Sequence, residues 1–474
     1  MPIQLVYGKW ESRVEKWTSR GFHELGETEK IFFMRRCDSD LMSFLFFLSQ
    51  LIMTTTSTPF QIVIVGGGIA GLTAAIALRG PSRKIIVLEQ SRLNKEIGAM
   101  ISLQPNATKI VYKTWGLGKE LSTSRSMVDQ GFRVYSTEGE LVNEVPLTTK
   151  TEYGASRVLW HRKDLHDALK RAVLSPSTVA GDLVEIRVSS RVVRCDPWGG
   201  VVTLESGEEI RGDIIIGADG IHSNLRKVVV EDGPTPMPTG LSAYRLMIPS
   251  NVLETEEKEF CDKIDPRAPF TSMVVAHDCR LIMGPGREGD VFGIVALVPD
   301  ERMNEDPNAT QSWVSEGKLD KLMETFSEFP RWITDIFKHS PDIGLWQLRD
   351  IEPLSTWHRG RLFLIGDAAH AMLPTQGQGA SQAIEDSEAL GAFFKEIMEP
   401  PSLEQITRLF ADTFQSRYAR ASLIQGYSRQ AARPGTVKQE KTVIMKPDEF
   451  MAFNSMYNGA KEWLRSERSL AGLA

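Results

Sequence analysis

Short apolar runs that end in glycine or an acid punctuate this chain. Residues 62–65 (IVIV) form a β-branched run long enough for a buried parallel strand. Gly66, Gly68 and Gly71 follow at G-x-G-x-x-G spacing, and Leu72, Ala75, Ile76 and Leu78 then recur at helical intervals. Residues 85–88 (IIVL) make a second run that stops at Glu89. This pattern predicts strand, tight turn, helix and strand. Two later runs have the same form: residues 213–216 lead into Gly217-Ala218-Asp219-Gly220, and residues 362–365 into Gly366-Asp367. Between them the texture changes. Strand-like runs at 242–248, 272–276, 281–283 and 291–298 predict a β-rich unit over 234–345, with helix around 319–337. A long helix is predicted from near Gly379, with Ala383, Ile384, Leu390 and Phe394 buried, and residues 402–474 are polar and helical in pattern. The expected class is α/β, a parallel-sheet domain joined to a second, β-sheet domain and C-terminal helices.

The first stretch carries chemistry. Gly66 permits the tight turn out of the strand, Gly68 lets backbone approach a pyrophosphate, and Gly71 lets helix and strand pack closely. The helix N-terminus offers free N–H groups and a positive dipole end to that pyrophosphate. Glu89 stands where an acid at the end of the second strand holds ribose hydroxyls. Together these residues predict a bound dinucleotide.

Composition narrows the class. A chain of 474 residues with 42% hydrophobic and 24% charged residues suits two or three globular domains. Net charge is −6 with the two signs interspersed, which argues against nucleic acid as partner. Cys37, Cys195, Cys261 and Cys279 form no C-x-x-C pair, and no histidine cluster has metal-ligand spacing. The expectation is free thiols, no metal and a reducing, cytoplasmic setting. The apolar run at 41–53 is too short to span a bilayer. Met53 opens a short polar lead into the first strand, so residues 1–57 read as an extension outside the fold, with Met53 the expected start.

At the second motif, Asp219 closes a strand and suits a ribose or ribityl hydroxyl, while Arg226 suits a phosphate or the acid itself. At the third, Asp367 suits a polyol hydroxyl, and Pro374, Gly377 and Gly379 make a loop of little bulk against which a flat ring can lie. His370 reads as a packing residue or a partner of backbone rather than an acid–base catalyst.

The GGGIAG fingerprint with Glu89, the Asp219-Gly220 motif and the Gly366-Asp367 motif, in this order, resemble the single-component FAD-dependent aromatic monooxygenases, the para-hydroxybenzoate and salicylate hydroxylase family. The resemblance covers roughly residues 58–430, and PTQGQGASQAIED looks most like the fungal members acting in secondary metabolism. It implies a discontinuous Rossmann-like FAD-binding domain (58–233 and 346–400), a substrate domain (234–345) and a C-terminal helical segment (401–474). It also implies NADPH or NADH as co-substrate, O2 activated as a flavin hydroperoxide, and hydroxylation of an aromatic or polyketide-derived small molecule. Gly66, Gly68 and Gly71 would then hold the pyrophosphate, and Glu89 the adenosine ribose. Ala99 would line the flavin, and Arg162 would contact the ribityl chain or pyrophosphate. Asp219 would lie near the pyrophosphate, Asp367 would bind the ribityl chain, and Gly379 with Ala380 would approach the ring.

An electrophilic oxygen donor reacts faster with phenolate than with phenol, so the site should stabilise an anionic oxygen. Arg245, in SAYRLMIP of the β-rich unit, is the candidate cation. Tyr244 is its neighbour and a candidate proton donor, although adjacent strand residues face opposite ways. Many relatives carry tyrosine before proline near residues 283–287, where this chain has Gly284-Pro285-Gly286. Alternatives on the same scaffold are oxidation of an isoprenoid or indole, or a flavin-bound regulatory protein without turnover.

Overall fold

A computed structural model describes residues 59–92, 99–175, 184–276, 278–303, 314–432 and 443–471. The expected extension over 1–57, the start at Met53 and the turn residue Gly98 lie outside them.

Six strands make the first sheet. In chain order they begin with β1 (Phe60–Val65), β2 (Arg83–Leu88), β3 (Val184–Arg187) and β4 (Ile214–Gly217), and finish with His358–Arg359 and Leu362–Leu364. The spatial order is His358–Arg359, Leu362–Leu364, β4, β1, β2, β3. All neighbours are parallel except the first pair. Register partners Leu88, Val65, Gly217 and Leu364 are therefore level, so four strands end side by side. Strands buried on both faces read as unbroken apolar runs, which is why these were visible in the sequence.

Helices cover that sheet. α1 (Ile69–Leu78) leaves β1 through the glycine turn, and α2 (Arg162–Leu174) packs beside it. α3 (Gly379–Phe394) lies against α1, and their approach is close because the facing residues are small. Thr73 and Ser387 hydroxyls meet at 2.9 Å, and a Cβ on Gly391 would sit 2.7 Å from the Ala77 carbonyl oxygen. The 30-residue α4 (Leu403–Ala432) then packs on α3.

The second sheet has eight strands, mostly antiparallel. It includes β5 (Met237–Pro249), β6 (Phe270–Ala276), β7 (Cys279–Gly286), β8 (Val291–Pro299) and β9 (Ile343–Asp350). Its order is Val314–Glu316, β9, β5, β8, β7, β6, Gly131–Tyr135, Leu141–Pro146, so the segment 58–233 also contributes two strands to it. One face is a dry core: Tyr244, Leu246, Ile248, Leu281, Phe292, Ile294 and Leu345 pack under short helices carrying Phe326, Ile333 and Phe337. The helical stretch expected around 319–337 is broken at Pro330 into Leu319–Thr325 and Arg331–Thr334, as proline before a helix start requires. The other face alternates against the first: Arg245, Met247, Met273, Ile282, Val295 and Trp346 are only half-buried. That face is largely apolar, with Arg245 within it and Arg280 toward one end.

Candidate active site

The motifs meet at the level strand ends. Gly66 (φ 110°) follows β1, Glu89 follows β2, Asp219 follows β4, and Asp367 follows the strand Leu362–Leu364. The carboxyl edge of a parallel sheet is where ligands bind in folds of this kind. Residues some 300 positions apart in the chain thus share one edge.

The three fingerprint glycines do different work. A Cβ on Gly66 would overlap the Ala218 carbonyl, and one on Gly71 would overlap the Gly66 carbonyl. A Cβ on Gly68 would meet no protein atom within 4 Å, and neither would one on Gly379. Gly66 and Gly71 are required by the fold, whereas the space beside Gly68 and Gly379 is open among the described residues. Gly68→Ala is therefore expected to leave the melting temperature of the cofactor-free protein unchanged while lowering FAD affinity by about tenfold or more. Gly71→Ala is expected to abolish soluble, folded protein. Flavin content and circular dichroism of the two variants check this.

The acids differ in environment. Glu89 accepts hydrogen bonds from the backbone N–H groups of Gly67 and Ser91, each at 2.7 Å, which fixes its carboxylate beside the glycine turn. Asp219 accepts from Asn224 and Leu225 N–H through one oxygen, while its buried Oδ1 has no partner among the described residues. Burial raises its pKa. Asp367 is crowded by protein, and that burial raises its pKa against the opposing charges of His370, Arg162 and Arg226. Its side chain is nevertheless exposed, the combination expected of a group on the floor of an open cleft. Ala99 is buried, and its carbonyl accepts the Arg162 N–H at 2.8 Å. The Arg162 charge is felt by both Asp367 and Arg245. Gly379 and Ala380 open α3, whose N-terminus follows the loop at Gly377.

Arg226 is held by backbone rather than by the Asp219 carboxylate. Its guanidinium donates to the carbonyls of Asp367 (2.7 Å), Ala368 (2.8 Å) and Ile221 (2.8 Å), tying the second motif to the third through backbone. The structure also separates Tyr244 from Arg245. Tyr244 is fully buried in the core under the second sheet, because strand alternation turns it away from the open face. Arg245 lies on that open face. Its guanidinium carbon sits 4.6 Å from the centre of the Trp346 ring, and its Nε has no hydrogen-bond partner among the described residues. Burial first, and the Arg162 charge second, push its pKa down to about 10, so it stays cationic at neutral pH.

The open face is bounded at both ends. Met100, next to Ala99, fits over Gly286 and Gly293; a Cβ on Gly286 would come 2.6 Å from the Met100 sulfur. At the other end Ala243, Leu297, Leu348 and Leu373 cluster with Ala432 of α4, and Arg280 donates to the Ala431 carbonyl at 2.8 Å.

Two supports were not visible in the sequence. His166 Nε2 lies 2.7 Å from the Gly67 carbonyl and anchors the glycine turn from α2. Beneath α3 runs a buried ionic network. Glu385 pairs with Arg417 and Arg420, and Asp386 with Arg417, all four side chains being fully buried. Asp386 Oδ2 also accepts the Gly366 N–H (2.9 Å) and is hydrogen-bonded to His370 Nε2 (2.7 Å). His370 is thus a partner of a carboxylate rather than of backbone. Asn106 donates to Glu385 and to Gln378, the residue before Gly379. One network holds the loops at 104–106, 366–367 and 378–379.

Open space at Gly68 and Gly379, the orphaned Asp219 oxygen and the acid at Asp367 fit a long, hydroxyl-rich dinucleotide with a flat ring. These residues stand at the same sheet edge that ligands of such folds use. The family described as FAD binding domain matches residues 59–400. The chain is 30% identical over 387 residues to hispidin-3-hydroxylase of Neonothopanus nambi, covering 79% of this chain and 89% of that protein. It is 31% identical over 377 residues to 3-hydroxybenzoate 6-hydroxylase 1 of Aquipseudomonas alcaligenes, covering 78% and 88%. A salicylate hydroxylase substrate complex has the same fold, with a TM-score of 0.69 at 24% identity over 86% of this chain and 98% of that one. CtdE in complex with FAD and a substrate gives 0.71 at 22% identity over 87% and 99%. The chain belongs to the FAD-dependent monooxygenases of this family. It is an oxidoreductase whose cofactor is FAD, and a reduced nicotinamide is the typical co-substrate of such enzymes. No helix among the described residues is long and apolar enough to cross a membrane.

Proposed function

We propose that this enzyme hydroxylates a phenolic or polyketide-derived aromatic small molecule bound on the open face of the second sheet. The observation that carries this reading is Arg245, a cation without a carboxylate partner among the described residues, set among Met247, Ile282, Val295 and Trp346. A flat apolar surface with one fixed positive charge suits a flat apolar molecule with one anionic oxygen. Relatives that act on hispidin and on 3-hydroxybenzoate, by their names, support the same class. Their hydroxylase names favour ring hydroxylation over oxidation of an isoprenoid.

The turn of Gly66, Gly68 and Gly71 would carry the pyrophosphate at the α1 N-terminus, Glu89 the adenosine ribose, and Asp367 the ribityl hydroxyls. Ala99, Arg162, Asp219, Gly379 and Ala380 would complete the flavin's surroundings. Bound FAD supplies electrons taken from NADPH or NADH and the activation of O2. The chain's own part is to orient the ring, exclude water and hold the phenol oxygen as an anion at Arg245. With Tyr244 turned into the core and glycine at 284 and 286, that task falls to Arg245.

Asp367→Ala and Glu89→Ala are each expected to lower FAD occupancy after purification; full occupancy in either would remove that residue from the cofactor site. The function itself is tested by NADPH oxidation by the purified yellow protein across a panel of phenols. Substrate-stimulated oxidation with a product heavier by one oxygen atom supports it. Flavin binding with no stimulation by any phenol would sink it.

A further inference from the structure

A cavity of about 340 Å³ lies beside the helix Pro105–Lys109. Lys109, Lys113 and Lys150 line it together with Tyr112, Ser126 and the apolar Val128, Ala155 and Val158. No carboxylate among the described residues lines it. We propose that this cavity binds a phosphate-bearing anion, such as the phosphate of a nucleotide.

The backbone builds the site. The helix Pro105–Lys109 continues as a π-helical turn, Ile110–Thr114, closed by the Trp115 N–H on the Ile110 carbonyl (2.9 Å). Such wide turns are frequent at functional positions. Here the wide turn places Lys109 and Lys113 on one side, and the helix Thr149–Tyr153 brings Lys150 to the same cavity. Like charges so gathered repel, and Lys109 has its pKa lowered by burial first and by Lys113 next. Lys109 is already held by the Ser455 carbonyl and Asn458 Oδ1, each at 2.9 Å. Lys113 and Lys150 are exposed and form no ion pair among the described residues. An anion of charge −2 would relieve that repulsion and take hydrogen bonds from ammonium and hydroxyl groups alike.

The site is separate from the dinucleotide edge but connected to it. The same helix begins at Gln104-Pro105-Asn106, where Gln104 faces Gly377 of the flavin loop and Asn106 joins the network under α3. The phosphate could belong to the 2′-position of NADPH or to a free nucleotide.

The test uses FAD-loaded protein and calorimetric titration with pyrophosphate, 2′-AMP and ATP. Binding tighter than about millimolar is expected, weakened about tenfold or more in the K113E/K150E double variant. Both positions are exposed, so the variant is expected to keep its fold and flavin, which absorbance verifies. If the variant also raises KM for NADPH and leaves KM for NADH alone, the phosphate is that of the co-substrate. If binding is lost and both KM values hold, it is that of a free nucleotide. Absence of binding for all three probes, or equal binding by the variant, overturns the proposal.

Discussion

Arg245→Ala is expected to retain full flavin and to lose product formation by about 10²–10³ in kcat. The guanidinium lies on the second sheet, away from the glycine turn, so cofactor affinity has no reason to change. What is lost is the fixed charge that holds the reacting oxygen as an anion. NADPH oxidation should therefore continue to some degree while oxygenated product falls, with hydrogen peroxide accounting for the difference. Arg245→Lys keeps the charge but not the planar stack on Trp346, which lies 4.6 Å away, and is expected to recover part of the activity. The ratio of product to NADPH consumed is the measurement. A ratio equal to wild type in Arg245→Ala would remove Arg245 from the site.

Glu385→Ala should be the most destabilising single change in the polar interior. It would leave Arg417 and Arg420 buried without their main partner, and breaking a buried pair in this way costs about 3–5 kcal/mol. By contrast, Asp167→Ala breaks the exposed pair with Lys163 and is expected to cost about 1 kcal/mol or less. Denaturant unfolding of both variants makes the comparison. Burial alone would raise the Glu385 carboxyl, but the two arginines outweigh it and hold the group below the usual carboxylate range. Its stabilisation is therefore complete above the unfolded value of about 4 and is lost only as pH falls through the depressed folded value. Glu385→Gln should flatten that acid limb. An acid limb identical to wild type would place the protonation elsewhere. Because the network also holds the loops at 366–367 and 378–379, partial loss of flavin should accompany the loss of stability.

The sequence made the strand ends legible because buried parallel strands are continuous apolar runs, and each of these runs straight into glycine or an acid. It also placed the buried face of α3, since Ala383, Ile384, Leu390 and Phe394 are all buried. It did not show that Gln382, Glu385, Asp386 and Glu388 on the same helix are buried too. Such residues read as a solvated stripe, and their partners Arg417 and Arg420 lie on a different helix, at no spacing that a periodicity detects. The carbonyl partners of Arg226 gave no signal for a similar reason: every residue has a carbonyl. His166 gave no signal, because one imidazole in a helix says nothing about which carbonyl it will meet.

The level ends of four strands have a consequence for how the chain is made. β4 has β1 on one edge, but its other edge needs Leu362–Leu364, which leaves the ribosome much later. At synthesis rates of about 5–20 residues per second, that edge stays bare for several seconds or more while the whole second sheet emerges. An unpaired apolar edge over such an interval invites pairing with other nascent chains. The floor at Asp367 forms only when the interval closes, so the cofactor meets a nearly finished molecule. Low expression temperature, ample flavin and chaperone capacity should therefore govern the yield of soluble yellow protein more than the strength of its final core.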